Sequence, residues 1–166
     1  LIAVIDGLGH GNSAHDATTQ ALRYLQKYFN QPLIQVFKGV ERTCKKTRGL
    51  VMSLAKFDLV ERKIQFAGVG NVEVRAYNTP ERLNFMPRRG IVGFKTPAPK
   101  LMEYDWKDEY VLILHTDGLA SSWNWEDYSH IVDRPASLLA QRMLEDLWKK
   151  NDDATIVVVK QMRNKP

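Results

Sequence analysis

The sequence LIAVIDGLGHG, residues 1–11, is typical of a strand that runs into a glycine-rich loop. Its first five residues are apolar and include two Ile and one Val, which favour strands. Asp6 follows where the strand ends, and the three glycines of the loop let the backbone approach another group closely. A helical pattern begins at residue 12. The stretch therefore predicts a strand, a tight turn and a helix, with one carboxylate held at the turn.

Two more acidic sites lie beside apolar strands later in the chain. The predicted strand 110–114 leads to Asp117, and the pair Asp152 and Asp153 precedes another apolar run. An Asp in such a setting is most often part of an ordinary turn. Three such sites at strand ends, together with the Gly7 carbonyl, could nevertheless converge on a hard divalent cation, which prefers oxygen ligands. The set indicates a Mg²⁺ or Mn²⁺ site able to polarise a phosphate.

Length and composition favour one domain over residues 1–166 with a sizeable core. No run approaches the ~20 apolar residues of a membrane span. The single cysteine, Cys44, excludes an internal disulfide and suits a reducing cytoplasm. A net charge of +5 and a pI of about 9.3 favour encounters with acidic or phosphorylated partners. We expect a cytoplasmic monomer with no nucleic-acid partner and no membrane partner.

Hydrophobic periodicity predicts helices at both ends of a block of antiparallel hairpins, which is an α+β arrangement. The predicted helices are 13–29, 33–43 and 135–149. The predicted strands are 1–5, 50–59, 64–67, 72–77, 101–106, 110–114 and 154–159, with a further short strand at Leu83 and Phe85. The strands do not alternate regularly with helices, which argues against a doubly wound parallel sheet.

Several local features follow from the same patterns. The first helix is expected to be capped by Asn12 or Ser13. The segment 87–99 is expected to be an ordered surface loop. Its predicted anchors are Ile91, Val92 and Phe94. The apolar face predicted for the last helix consists of Leu138, Leu139, Met143, Leu144 and Leu147. His115, on a buried strand, is expected to be a packed histidine.

Five motifs, taken in order, resemble those of the metal-dependent serine/threonine protein phosphatases, the PPM or type 2C family. The residues of these motifs are most similar to those of the small bacterial SpoIIE-like branch, and the resemblance covers nearly the whole chain. The motifs are Val4-Ile5-Asp6-Gly7-Leu8-Gly9-His10-Gly11, Arg48-Gly49, Phe66-Ala67-Gly68-Val69-Gly70-Asn71, His115-Thr116-Asp117-Gly118-Leu119 and Asn151-Asp152-Asp153-Ala154-Thr155.

The resemblance implies an α-β-β-α sandwich, in which helices flank two antiparallel sheets that pack face to face. It implies two Mn²⁺ or Mg²⁺ ions, with Asp6 bridging them and the Gly7 carbonyl on one of them. Asp117 and Asp152 match ligands of the other ion, and Asp153 matches a neighbouring residue behind the ligands. The implied reaction is hydrolysis of phosphoserine or phosphothreonine, in which a metal-activated water attacks phosphorus in line.

The chain departs from the family pattern in two places. Members usually have an earlier hairpin that carries one more acidic metal residue, so we expect that this first N-terminal hairpin is missing from the sequence. Asn71 stands where many members have an aspartate for a third, weaker ion, so no third ion of that kind is expected.

Two further residues are candidates for catalysis. His10 could protonate the leaving oxygen, because its free pKa is near neutrality, or it could instead hold the loop by hydrogen bonding. Arg48 could clamp a phosphate with two hydrogen bonds, or it could pair structurally at a helix-to-strand corner. Arg88 and Arg89 lie on the loop expected to flank the site, where they could meet a phosphoprotein or remain solvated.

Likeness to a stressosome-linked member of this branch implies a substrate class. The substrates would be phosphorylated STAS-domain proteins (RsbR/RsbS-like), and dephosphorylation would reset a bacterial stress signal. The alternative is a catalytically inactive binding module of the same fold in the same signalling pathway. A dinucleotide site is disfavoured, because the glycines at 7, 9 and 11 do not have Gly-x-Gly-x-x-Gly spacing and Asp6 would repel a pyrophosphate.

Overall fold

A computed structural model describes residues 1–161 of the chain. In chain order its elements are β1 (Ile2–Gly7), α1 (Asn12–Tyr28), α2 (Leu33–Cys44), β2 (Leu50–Asp58), β3 (Lys63–Val69), β4 (Glu73–Tyr77), β5 (Met102–Asp105), β6 (Val111–His115), α3 (Glu126–Ser129), α4 (Ala136–Leu147) and β7 (Ile156–Lys160). They fall into two compact units. The first comprises Leu1–Val72 and Phe85–Asp105, and the second comprises Glu73–Asn84 and the chain from Trp106 onward.

The first unit is a four-stranded antiparallel sheet, in the order β1-β2-β3-β5, with α1 and α2. Ala3 and Ile5 of β1 pack against a cluster that contains buried residues of both helices, including Ala17 and Phe37. Because successive side chains of a strand point to opposite faces, Asp6 lies on the face of the sheet away from these helices. The register pairs Asp6 with Val51 of β2.

The second unit is a three-stranded antiparallel sheet in the order β4-β6-β7, with α3 and α4. Its core joins Val111 and Ile113 of β6 to Leu139 and Met143 of α4. The five residues of β6 are all buried, as expected for a central strand. No helix within residues 1–161 is both long and apolar enough to cross a bilayer.

The predicted α+β class with two antiparallel sheets and helices is confirmed. The hairpin predicted from 50–59 and 64–67 is present as β2 and β3, and the second helix begins directly after Pro32. The face-to-face arrangement of the sheets and the single domain over 1–166 stay predictions. Residues 162–166 lie outside the described part of the chain.

Two predictions about local structure are wrong. The cap of α1 is Gly11, at φ 73°, and neither Asn12 nor Ser13 caps it, since the helix already begins at Asn12. Leu83 and Phe85 form no strand. Phe85 is buried instead by edge-on ring contacts with Phe66 and Tyr104, at centroid distances of 5.2 Å each.

Two predicted core residues lie at the surface. Phe94 is 59% exposed and does not anchor its loop. The predicted anchor Val92 is confirmed, because it is fully buried and forms two backbone hydrogen bonds with Leu50. Leu138 of α4 is 44% exposed, whereas its neighbour Leu139 is fully buried. The apolar face of α4 is therefore narrower than the periodicity indicated.

Candidate functional site

In the first unit, the glycine-rich loop turns directly from β1 into α1. A Cβ built on Gly7 would lie only 2.6 Å from the carbonyl oxygen of Ala14, so only glycine fits at this close approach of strand and helix. Asp6, immediately before it, is half-buried at the end of β1. The loop is also tied to the helix-to-strand corner, where the Leu8 N–H donates to the Gly49 carbonyl at 3.1 Å.

Arg48 places its guanidinium against the same loop. A Cβ built on Gly9 would lie 3.0 Å from Arg48 Nη1 and 3.1 Å from Cζ. Gly9 has φ +83°, a conformation that favours glycine, so both its backbone and its lack of a side chain accommodate the guanidinium. Arg48 is exposed and forms no ion pair with any residue of 1–161. The guanidinium therefore lies beside the loop that follows Asp6.

His10 lies on the outer part of this loop and is exposed. Within residues 1–161 its ring has no hydrogen bond to the loop, which disfavours the interpretation that it holds the loop in place. The ring is accessible to a molecule that approaches from solvent. This leaves the proton-donor role predicted for His10 compatible with its position.

In the second unit, the loops that carry Asp117 and Asp152 are joined by hydrogen bonds. The Thr116 N–H donates to the Thr155 carbonyl at 3.0 Å, and the Thr155 N–H donates back to Thr116 Oγ1 at 3.0 Å. Only glycine fits at position 118, because a Cβ there would lie 2.0 Å from the Asp153 carbonyl oxygen. The structure therefore brings together two loops that are separated by more than thirty residues of sequence.

Two side chains at the end of α4 donate hydrogen bonds to the two acidic loops. The sequence analysis missed both of these residues. The Trp148 indole N–H donates to the Asp152 carbonyl at 2.7 Å, and Lys149 Nζ donates to the Asp117 carbonyl at 2.7 Å. The backbone adds a third bond, from the Lys149 N–H to the Gly118 carbonyl at 2.9 Å. Their position just before the acidic pair was the available signal, but the pattern identified them only as the end of a helix.

The carboxylates of Asp117, Asp152 and Asp153 lie on exposed residues of these two loops. Asp152 Oδ1 accepts a hydrogen bond from the Asp153 N–H at 3.0 Å, which fixes the side chain of Asp152 near its own backbone. Such oxygen donors, on loops with fixed backbones, fit a hard cation such as Mg²⁺ or Mn²⁺. Asp6 and the Gly7 carbonyl, which belong to the first unit, would complete the predicted ligand set.

The meeting of the full ligand set stays a prediction. Within residues 1–161 no group of three or more His, Cys, Asp or Glu residues could hold a metal ion by itself. The predicted ligands come from both units and include a backbone carbonyl. Within the second unit, hydrogen bonds hold the loops around Asp117 and Asp152 in fixed positions relative to each other.

A polar cluster lies where β4 pairs with the end of β6, just before Asp117. His115 is 1% exposed, as predicted for a packed histidine, and its Nδ1 lies 2.9 Å from the Thr116 carbonyl oxygen. Its cross-strand neighbour Glu73 contacts Arg75 at 2.8 Å. Burial of the Glu73 carboxyl raises its pKa, but hydrogen bonds from Ser121 and Arg75 and the charge of His115 outweigh burial and lower the pKa overall.

Comparison with known proteins identifies relatives. The sequence pattern of the SpoIIE family (Stage II sporulation protein E) matches residues 1–161. Phosphoserine phosphatase RsbX of Bacillus subtilis (strain 168) is 26% identical over 121 residues. That match covers 72% of this chain and 60% of the relative, so the chain spans less than two thirds of the length of RsbX.

Solved structures share the fold. One, reported as "The bacterial stressosome: a modular system that has been adapted to control secondary messenger signaling", has a TM-score of 0.86 at 25% identity, with 94% of this chain and 82% of that chain covered. RsbX in complex with magnesium has a TM-score of 0.80 at 22% identity, with 94% and 77% covered. The catalytic domain of the phosphatase PstP with two manganese ions has a TM-score of 0.67 at 14% identity, with 94% and 84% covered.

The match over residues 1–161 settles the family, and the solved structures settle the fold. The prediction made from the five ordered motifs is confirmed at this level. This chain belongs to the SpoIIE family and has the fold of the type 2C phosphatases.

Proposed function

We propose that this chain is a metal-dependent phosphatase that hydrolyses phosphoserine or phosphothreonine in proteins. The observation that carries the proposal is a set of hydrogen bonds in the second unit, which hold the loops of Asp117 and Asp152 against each other. Membership of the SpoIIE family and the 26% identity to a phosphoserine phosphatase support it. The chain matches only 60% of that relative, so its activity belongs to the proposal.

The proposed ligands are Asp6, the Gly7 carbonyl, Asp117 and Asp152, with Asp153 as a neighbour behind them. The RsbX structure with magnesium and the PstP structure with two manganese ions support two ions of Mn²⁺ or Mg²⁺ per domain. When bound, such ions polarise a phosphate and lower the pKa of a water molecule between them. This chain's own contribution is to hold oxygen donors on loops whose backbones are fixed.

Arg48 and His10 have proposed roles toward the phosphate ester. The exposed guanidinium of Arg48 beside Gly9 can donate two parallel hydrogen bonds to phosphate oxygens and hold the ester in place. His10, on the same loop, can give a proton to the serine oxygen as it leaves, which is the general-acid role that histidine most often serves in enzymes. Both residues come from the unit that carries Asp6.

The proposed substrates are phosphorylated STAS-domain proteins, RsbR/RsbS-like, of a stressosome. The likeness to RsbX and to the structure reported as a bacterial stressosome supports this class. Hydrolysis of their phosphoserine or phosphothreonine would reset a stress signal. The alternative is an inactive binding module, which would bind the same phosphoproteins without turnover.

The activity is tested with p-nitrophenyl phosphate in the presence of MnCl₂. We expect turnover by the unaltered chain and its loss, by at least about a hundredfold, in Asp117→Asn, which removes a charged ligand. Asp133→Asn is the matched control, because Asp133 is an exposed aspartate of the same unit outside the acidic loops. Turnover that persists in Asp117→Asn would contradict the proposed role of Asp117. No turnover in the unaltered chain, together with binding of phosphorylated STAS protein, would favour the binding module.

A further inference from the structure

The first unit carries a group of exposed basic residues in two stretches, 45–48 and 88–95, that are joined through the backbone pair of Leu50 and Val92. We propose that this basic surface binds an acidic segment of the phosphoprotein substrate, next to the phosphorylated residue. The inference rests on the proposed function and names what selects its substrate. The basic surface consists of Lys45, Lys46, Arg48, Arg88, Arg89 and Lys95.

The charge of this surface is one-sided in the sequence. Residues 42–57 contain five Lys or Arg and no Asp or Glu, and residues 85–102 contain four Lys or Arg and no Asp or Glu. The whole chain, by contrast, carries 24 basic and 19 acidic residues. These two stretches of the first unit therefore carry a formal charge of +9, whereas the rest of the chain carries −4.

Backbone contacts hold these two stretches side by side. The Leu50 N–H donates to the Val92 carbonyl at 3.1 Å, and the Val92 N–H donates to the Leu50 carbonyl at 2.8 Å. Gly93, at φ +90°, packs so closely on the end of α2 that a Cβ there would lie 2.7 Å from the Cys44 carbonyl oxygen. Lys45 and Lys46 follow directly after that point of contact.

The basic residues of this surface are exposed and unneutralised. None of the six forms an ion pair with any residue of 1–161. Elsewhere in the same unit the chain does pair a surface lysine, because Lys63 Nζ lies 2.9 Å from Glu103 Oε1. Like charges gathered without counterions repel one another and attract an acidic partner from a distance of about a Debye length.

Apolar contacts within the surface favour a protein segment as the occupant. Phe94 is 59% exposed, and Lys95 Nζ lies 5.8 Å from the centroid of its ring. Met86, on the same loop, is 62% exposed. Exposed apolar side chains with charged residues around them are typical of protein interfaces. Since Arg48, the residue proposed to hold the phosphate, belongs to the surface, a bound acidic segment would lie next to the phosphorylated residue.

The test compares two synthetic phosphoserine peptides of equal length, one with Asp and Glu flanking the phosphoserine and one with Asn and Gln. The variant Lys45→Glu/Arg88→Glu reverses two charges of the surface and leaves Arg48 intact. Its matched control, Arg23→Glu/Arg134→Glu, makes the same change of net charge at two exposed positions outside the surface. We expect KM for the acidic peptide to rise about tenfold in the variant and to change less than twofold in the control.

Turnover of p-nitrophenyl phosphate separates the two proposals. We expect it to be unchanged in Lys45→Glu/Arg88→Glu, because that substrate has no flanking segment. An equal KM for acidic peptide in variant and unaltered chain, with p-nitrophenyl phosphate still hydrolysed, would overturn the basic surface alone. Absence of p-nitrophenyl phosphate turnover in the unaltered chain would overturn the proposed function instead.

If the unaltered chain does not hydrolyse p-nitrophenyl phosphate, a direct measurement of peptide binding still tests the basic surface. Fluorescence anisotropy of the labelled acidic peptide should report a Kd about tenfold weaker for Lys45→Glu/Arg88→Glu than for the control variant. An equal Kd for both would overturn the proposal. So would tighter binding of a single-stranded oligonucleotide of equal charge, since the surface would then favour nucleic acid.

Discussion

The indole N–H of Trp148 donates a hydrogen bond to the carbonyl oxygen of Asp152 at 2.7 Å. The bond joins the end of α4 to the loop that carries a proposed metal ligand. It acts on the backbone of Asp152, so it can set the direction of the carboxylate without touching it. Loss of a hydrogen bond that holds a metal ligand in position commonly lowers metal affinity by about ten- to a hundredfold.

Removal of that donor should weaken metal binding. In Trp148→Phe the ring remains but the N–H is lost, and we expect Mn²⁺ to bind about tenfold more weakly. Isothermal titration of the metal-free protein measures the change directly. Trp125→Phe is the control, because Trp125 is a second tryptophan of the same unit, stacked on Tyr77 at 4.4 Å. Equal affinity in both variants would contradict a role for the indole bond.

Gly118 should tolerate no side chain. In Gly118→Ala the added Cβ would meet the Asp153 carbonyl oxygen at 2.0 Å, so the two acidic loops must separate. We expect a loss of about 2 kcal/mol in the free energy of unfolding and a fall in Tm of roughly 4–8 °C. Thermal unfolding followed by circular dichroism measures it.

Gly11→Ala is the control for that variant. Nothing lies within 4 Å of a Cβ at Gly11, so its cost comes only from the positive φ of 73°, at roughly 1–2 kcal/mol. If Gly118→Ala leaves Tm unchanged, the loops are not packed as described. Both variants should lower Tm, but only Gly118→Ala should also weaken Mn²⁺ binding, because only it separates the two acidic loops.

Glu73 should make stability depend on pH. Its pKa is lowered below the ordinary value of 4.5, because hydrogen bonds from Ser121 and Arg75 and the charge of His115 outweigh burial. A lowered pKa means that the contribution of the carboxylate is fully present above pH 4.5 and is lost as the pH falls through the lowered value. Glu73→Gln should therefore be less stable than the unaltered chain at pH 7, and the difference should narrow below pH 4.5.

Urea unfolding at pH 7 and at several values below pH 4.5 measures this difference. Glu103→Gln is a useful control, since Glu103 also has a lowered pKa but its ion pair with Lys63 is exposed. We expect that control to change stability little at either pH, because exposed pairs contribute little. If the free energies of unfolding of Glu73→Gln and the unaltered chain differ by the same amount at every pH, the lowered pKa of Glu73 is contradicted.

Cys44 should be unreactive in the folded protein. Burial, with a smaller effect from the charge of Asp16, raises the pKa of its thiol from 9.0 to about 11. The Sγ–H also donates to the Ala17 carbonyl at 3.7 Å. Because the thiolate is the reactive form, we expect a disulfide reagent at pH 8 to modify the native chain at least about tenfold more slowly than the urea-unfolded chain. Equal rates would mean that Cys44 is accessible.

The sheets were predictable because alternation and turns are local properties of the sequence. The hairpin of β2 and β3 follows from two apolar runs on either side of the polar residues Glu61 and Arg62, and Asp58 pairs with Lys63 across the turn. Phe85 shows where this reasoning ends. Its neighbours resemble a strand, but its burial comes from the rings of Phe66 and Tyr104, which belong to β3 and β5.

The proposed ligands were predictable as residue types in ordered motifs, whereas their supports were not. Trp148 and Lys149 contact the acidic loops through bonds to backbone carbonyls, which accept from any suitable donor and so leave no motif. Arg48 was singled out, but its contact with Gly9 depends on a positive φ that the sequence alone does not fix. Long-range supports of this kind require the folded chain.

The pairing of Val92 with Leu50 has a consequence for binding kinetics and affinity. A recognition loop that is loose in the free protein must lose conformational entropy when its partner arrives, at a cost of roughly 1–2 kcal/mol for each backbone residue ordered. Here the loop is already fastened to β2 by two hydrogen bonds and by a fully buried side chain. The backbone of the loop is therefore preorganised, so the proposed binding of an acidic partner would lose little affinity to the ordering of this loop.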